Sequence, residues 1–165
     1  MELPSRKLPR LKGYDYAAQG YYYLTVCTHN KENIFGWVGN GFDRSAVHLS
    51  KIGKIAEEEL LKIPTRYDGV RIDDYIVMPN HIHLILILGC DLAERSRPFP
   101  TVSEIIGLYK SGVSRRIHAE TEYQNPIWQK SFYDTVLANE QQYLSIREYI
   151  TYNPIKWKQG KGTDF

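Results

Sequence analysis

Apolar and polar positions follow two spacings along the chain, and the points where the spacing changes mark its elements. Tyr21 to Thr28, YYYLTVCT, is dense in aromatic and β-branched residues and predicts a strand. Phe35 to Val38 and Ala46 to Leu49 flank the turn-rich Gly39-Asn-Gly-Phe-Asp-Arg, which predicts a short hairpin ornament. After Ser50, the residues Ile52, Ile55, Ala56, Leu60 and Ile63 recur at helical spacing, and Pro64 is expected to stop that helix. Val70 to Met78 and His81 to Leu88 are apolar runs joined by Pro79-Asn80, a link too short for anything but neighbouring antiparallel strands. Beyond the loop DLAERSRPFP, Val102, Ile105, Ile106, Tyr109, Val113 and Ile117 mark a second helix. Trp128 to Leu137 reads as a last strand, and Asn139 opens a final helix that Pro154 is expected to close.

The order βαββαβα predicts an α+β fold of the ferredoxin-like, split βαβ kind, an antiparallel sheet with two crossover helices packed on one face and a separate C-terminal helix. The 165 residues fit one domain, with 1–20 as a basic arm and 21–165 as the core. Composition changes this picture little: 42% hydrophobic and 24% charged residues describe an ordinary globular chain, not a disordered or fibrous one. Cys27 and Cys90 fit no CxxC pattern and read as reduced thiols, and no apolar run approaches a membrane span, so a cytoplasmic location is expected. A net charge of +2 permits a polyanionic partner without requiring one. Arg6, Lys7, Arg10 and Lys12 on the arm, with Lys110, Arg115 and Arg116 on the second helix, are the candidate phosphate contacts, and each reads equally as a solvated surface charge. Trp128, Phe132 and Tyr133 are candidates for stacking on bases, though core positions suit them as well.

The chemistry concentrates in MPNHIHLILIL. His81 and His83, two apart on a strand, aim their rings to one side, while Ile82, Leu84, Leu86 and Leu88 point to the other and Ile85 and Ile87 continue the histidine side. Two imidazoles so spaced suit a divalent cation. Alone, they read equally well as hydrogen-bonded histidines at a strand end. On the final helix Tyr143, Leu144, Ile146 and Ile150 form an apolar stripe, Tyr152 points away from it, and Tyr149 lies at its edge, on one face with Asn153 four residues on. Asparagine offers a neutral oxygen ligand. A phenol is a poor nucleophile until it is held in place and its electrophile polarised. Asn153-Pro154 also has the plain reading of a helix stop.

These blocks, from LKGYDY and YYYLTVCTHN through IGKIAEEEL and YIVMPNHIHLILIL to IWQKSFYDTV and REYITYNPIKW, resemble the single-tyrosine HUH transposases, and among them the REP-associated tyrosine transposases. The resemblance implies a metal-dependent enzyme that cleaves and rejoins single-stranded, hairpin-forming DNA on a ferredoxin-like scaffold. It implies Mg2+ or Mn2+ held by His81 and His83, with Asn153 at the position of the third ligand, where relatives often carry Gln. Tyr149 matches the nucleophile that forms a 5′-phosphotyrosine and frees a 3′-hydroxyl. The chain departs from the pattern at Thr135, which follows Asp134 where many relatives have His. Two other readings stand beside this one: a domesticated hairpin-binding protein that cleaves nothing, and a metal-dependent hydrolase for which Tyr149 is dispensable. Members of the family act as monomers or as homodimers; the uninterrupted layout around Asn139 favours a tyrosine acting within its own chain.

Overall fold

The computed structural model describes residues 20–89 and 100–160; Arg6, Lys7, Arg10, Lys12, Cys90 and most of the loop DLAERSRPFP lie outside them. The strands are β1 (Gly20–Cys27), β2 (Gly36–Val38), β3 (Val47–Leu49), β4 (Val70–Met78), β5 (His81–Leu88) and β6 (Tyr133–Leu137). The helices are α1 (Lys51–Leu61), α2 (Ile63–Arg66), α3 (Val102–Glu120), α4 (Glu140–Thr151) and α5 (Asn153–Lys158). Four strands form one sheet in the order β4-β5-β1-β6, every neighbouring pair antiparallel, and β2 pairs with β3 as the expected ornament. This is the split βαβ arrangement that the element order predicts.

The two crossover helices share one face of the sheet, as expected, and the C-terminal helix covers the other. On one side α1 and α3 pack over Tyr22, Leu24, Val26, Ile82, Leu84, Leu86 and Leu88. On the other, Ile146, Tyr149 and Ile150 of α4 cover Tyr23, Ile76, Met78, Ile85, Ile87 and Leu137. Every residue of β5 is therefore buried, which explains why LILIL is continuous rather than alternating. Turning both sheet faces into core also moves the histidines from the strand mouth, where the sequence placed them, to the interior.

Prolines account for two further differences. The first helix ends at Leu61, and Pro64 stands in the first turn of α2 instead of terminating α1. Pro154 similarly stands in the first turn of α5, after a break at Tyr152. With no N–H, and with a ring that collides with the carbonyl four residues back, proline is excluded from a helix interior but suits a helix start. The last strand is also shorter than expected. Trp128 makes only an isolated bridge to Thr28, and its ring packs on Phe35 and Tyr109. Leu144 is exposed, although its spacing placed it in the apolar stripe.

The two helices of the first layer approach closely and share a buried ion network. Glu59 of α1 is 3% exposed and accepts from Lys62 (2.6 Å), Arg66 (2.8 Å) and Arg116 (3.1 Å). Burial pushes its carboxyl pKa up, but these three cations outweigh burial and hold it down at about 2. Glu59→Gln is expected to destabilise the fold by about 2 kcal/mol, below the usual cost of breaking a buried pair because the cations keep much of their solvent. Urea titration of the variant against wild type checks this.

Candidate active site

The β4–β5 turn is pinned before any functional side chain is considered. The Pro79 carbonyl accepts from Phe35 N (3.0 Å), and the Asn80 carbonyl accepts from both Thr28 N (2.9 Å) and Thr28 Oγ1 (3.0 Å). α1 is seated on this segment by Ser50, whose hydroxyl caps the helix and donates to the Ile34 carbonyl, and by Gly53, where a Cβ would stand 2.0 Å from the Phe35 oxygen. The turn is thus fixed from two directions, and His81 begins on rigid backbone.

His81 and His83 are 1% and 0% exposed, with ring centroids 4.5 Å apart in an edge-to-face arrangement. Asn80 donates through Nδ2 to the Lys31 carbonyl (3.2 Å), which turns its Oδ1 to the His81 ring, so Nδ1–H of His81 donates to it at 2.7 Å. That leaves the lone pair on Nε2. His83 Nδ1 meets Tyr23 OH (2.9 Å) and Thr25 Oγ1 (3.0 Å), two hydroxyls that can both accept from an Nδ1–H. They are in reach because Thr25 pairs directly with His83 across β1 and β5, and Tyr23 lies one step along the same face. A neutral imidazole oriented by its second nitrogen is the form that binds a cation.

Burial lowers the pKa of both rings, that of His81 to about 3, with the nearby Asn153 amide opposing the shift and Lys31 reinforcing it; His83 is further lowered by His81. Both imidazoles are therefore neutral at pH 7. Below about pH 6.5 the unfolded chain takes up protons that the folded chain refuses, so stability is complete above that pH and falls beneath it. The expected loss, in metal-free protein, approaches about 1.4 kcal/mol per pH unit for each imidazole. Urea midpoints at neutral pH and one to two units below about pH 6.5 test it.

The final helix delivers the other half. Asn139 caps α4 by accepting from Gln142 N (2.9 Å), and Gln142 Oε1 accepts in return from Ala138 N (2.9 Å). Ile146, Tyr149 and Ile150 then face the sheet, placing the Tyr149 ring edge-on to His83 at 5.3 Å. Tyr149 is 3% exposed, deeper than the stripe edge its spacing suggested, and Lys156 Nζ stands 4.2 Å from its ring centroid. The break at Tyr152 turns Asn153 fully inward. Its amide lies near enough to His81 to favour the protonated ring, yet neither its oxygen nor its nitrogen completes a well-aligned hydrogen bond. Two neutral imidazoles beside an under-satisfied buried amide form a donor set that fits a small divalent cation.

The other candidates are distributed differently. Tyr143 is half-buried and donates to Asp73 (2.8 Å), and Tyr152 is exposed. Lys110 and Arg116 lie in the layer opposite the histidines. Lys110 donates to the Gln129 carbonyl (2.6 Å), and Arg116 is held by Glu58, Glu59 and Glu120. Arg115 is exposed. Phe132 is core, and Tyr133 is half-buried. Thr135 pairs with Tyr23, which puts it on the histidine side of the sheet. Sequence reasoning missed Tyr23, Thr25, Asn80, Lys156 and Trp157, whose ring centroid lies 6.0 Å from that of His81. Strand alternation carried a signal for the first two, since Tyr23, Thr25 and Cys27 share a face.

The split βαβ sheet thus brings an inward histidine pair and a helix-borne tyrosine together inside one chain. Residues 43–153 match the family model described as transposase, IS200-like. The chain belongs to the IS200-like transposase family. A protein of Haemophilus influenzae described as uncharacterized is 32% identical over 168 residues, spanning 93% of this chain and 91% of that one. Among solved structures, a REP-associated tyrosine transposase bound to a REP hairpin superposes with a TM-score of 0.56 at 16% identity, covering 92% of this chain and 76% of that one. A transposase-like protein of Deinococcus radiodurans gives 0.51 at 17% identity, covering 87% and 95%. Both show the shared fold. Among the described residues no helix is long and apolar enough to cross a membrane.

Proposed function

We propose that the protein is a tyrosine transposase of the REP-associated branch, cleaving and rejoining single-stranded DNA at a hairpin through a covalent link to Tyr149. The observation that carries this reading is the contact of Tyr149 with His83 inside one chain, beside Asn153 and His81. His81 and His83, with Asn153, would hold Mg2+ or Mn2+. Such an ion supplies Lewis-acid polarisation of a phosphate oxygen and a template for its orientation.

The chain's own groups account for the remaining chemistry. The Tyr149 oxygen attacks phosphorus, the bond to the 3′ oxygen breaks, the phenol loses its proton and the 3′-hydroxyl gains one. One phosphodiester is exchanged for another, so the step is reversible and needs no nucleotide triphosphate. Lys156, with its ammonium over the ring, favours negative charge as it develops on the phenol. Asn80, Tyr23 and Thr25 keep the imidazoles in one orientation. The Tyr149 hydroxyl and both Nε2 atoms are closed to solvent, so surrounding side chains must move before a phosphate can enter; Trp157 stands beside His81 and Lys156 over the Tyr149 ring.

Incubating the protein with 5′- or 3′-labelled stem-loop DNA in Mg2+ or Mn2+ and resolving the products under denaturing conditions tests the proposal. A protein-linked DNA fragment plus a fragment with a free 3′-hydroxyl is the expected result. Binding with no cleavage in either metal would support the domesticated-binder reading instead.

A further inference from the structure

The β2–β3 ornament has no part in the site described above, yet it carries the most exposed aromatic rings among the described residues. Trp37 is 59% exposed and Phe42, in the connecting loop, 81%. Trp37 pairs across the two strands with His48, and their rings stack at 5.4 Å with 19° between planes. The bare Gly39 leaves room for the His48 ring, since a Cβ there would stand 2.8 Å from His48 Nε2. The stack is therefore formed in advance, with one Trp face turned to solvent. Exposing an indole to water is unfavourable, and this one gives nothing to either core.

The ornament is tied to the active site. Val38 and Val47 on its inner side pack against the cluster that contains Tyr149 and Ile150. Lys158 of α5 donates to the Gly41 carbonyl (2.8 Å), and the same short helix carries Asn153, Lys156 and Trp157. Lys156 and Lys158 bring positive charge to this side. Arg44, by contrast, is neutralised by its pair with Asp74, and Asp43, the carboxylate of the loop, accepts from Ser45 N. Flat aromatic faces beside lysines are what unpaired nucleotides require, rings for bases and cations for phosphates.

We propose that the β2–β3 ornament is a stacking platform for unpaired DNA bases flanking the cleavage site, with Trp37 as the principal ring and Phe42 as a second. The proposal rests on the reading of the chain as a single-stranded DNA transposase and assigns base stacking to the ornament in place of Phe132, which lies in the core, and Trp128, which packs against it.

The test measures binding of the full chain, by fluorescence anisotropy, to a stem-loop oligonucleotide with a single-stranded flank of about ten mixed-sequence nucleotides, and to the same stem-loop without it. Trp37→Ala is expected to weaken binding of the flanked probe about 10-fold and to leave the blunt probe within about twofold. Trp37→Phe should retain most of the affinity, and Phe42→Ala should show a smaller loss confined to the flanked probe. Phe42 is on a loop tip, so its variant stays informative if Trp37→Ala fails to fold. Equal weakening of both probes, unchanged binding of the flanked one, or no binding by wild type would overturn the platform. Adduct formation, scored separately, tells the two claims apart. A flank-specific Trp37 effect without any adduct sinks the catalytic reading alone, and an adduct with no Trp37 effect sinks the platform alone.

Discussion

Tyr149→Phe is expected to eliminate the covalent protein–DNA adduct, with the rate of its formation falling at least ~1,000-fold. Phenylalanine keeps the ring that packs edge-on to His83 and under Lys156, and it removes only the attacking oxygen. The melting temperature and the affinity for hairpin DNA should therefore stay close to wild type, so the loss cannot be ascribed to unfolding. Tyr143→Phe and Tyr152→Phe are expected to keep the adduct. The Tyr143 hydroxyl is committed to Asp73 and receives from Arg147 (3.1 Å), and Tyr152 is turned to solvent. A denaturing gel with labelled DNA compares all three variants directly.

His83→Ala has the second largest expected effect, at least a ~100-fold loss of cleavage, together with a stability cost of about 2 kcal/mol. The ring is fully buried, so its removal leaves a cavity beneath Tyr149 and frees Tyr23 OH and Thr25 Oγ1 from their partner. Raising the Mg2+ or Mn2+ concentration should restore little, because one of two imidazole donors is gone. Asn80→Ala is the informative contrast. It leaves both imidazoles but removes the acceptor for His81 Nδ1–H, along with the amide's bond to the Lys31 carbonyl, so a loss of ~10–100-fold that excess metal partly restores is expected. Single-turnover cleavage across a metal titration separates the two.

The parts of the fold legible in the sequence are those set by local pattern. Two apolar runs either side of the Pro79-Asn80 link placed β4 and β5, and spacing of three and four placed α1, α3 and α4, because helical backbone geometry repeats at that interval. The same spacing separated Tyr149 from Tyr152. Depth was less legible. His81, His83 and Tyr149 read as boundary residues: the unbroken LILIL run signals that both faces of β5 are covered, but not that the cover reaches the histidines at its start. Pro154 misled for a related reason: it forbids a helix interior but is welcome in a first turn, and the sequence does not say whether another helix follows. The orienting side chains were least visible. Tyr23 and Thr25 become partners of His83 only through the β1–β5 register, a pairing of residues about sixty positions apart.

The central claim is that the Tyr149 oxygen takes the phosphate. Arg147 and Lys156 bracket a tryptic peptide, Glu148 to Lys156, that holds both Tyr149 and Tyr152. Tandem mass spectrometry of this peptide, from protein trapped with hairpin DNA and digested with nuclease, locates the residual nucleotide. A nucleotide mass on Tyr149, with Tyr152 unmodified, is the predicted result. Its appearance on Tyr152, or on the neighbouring peptide that holds Tyr143, would contradict the account.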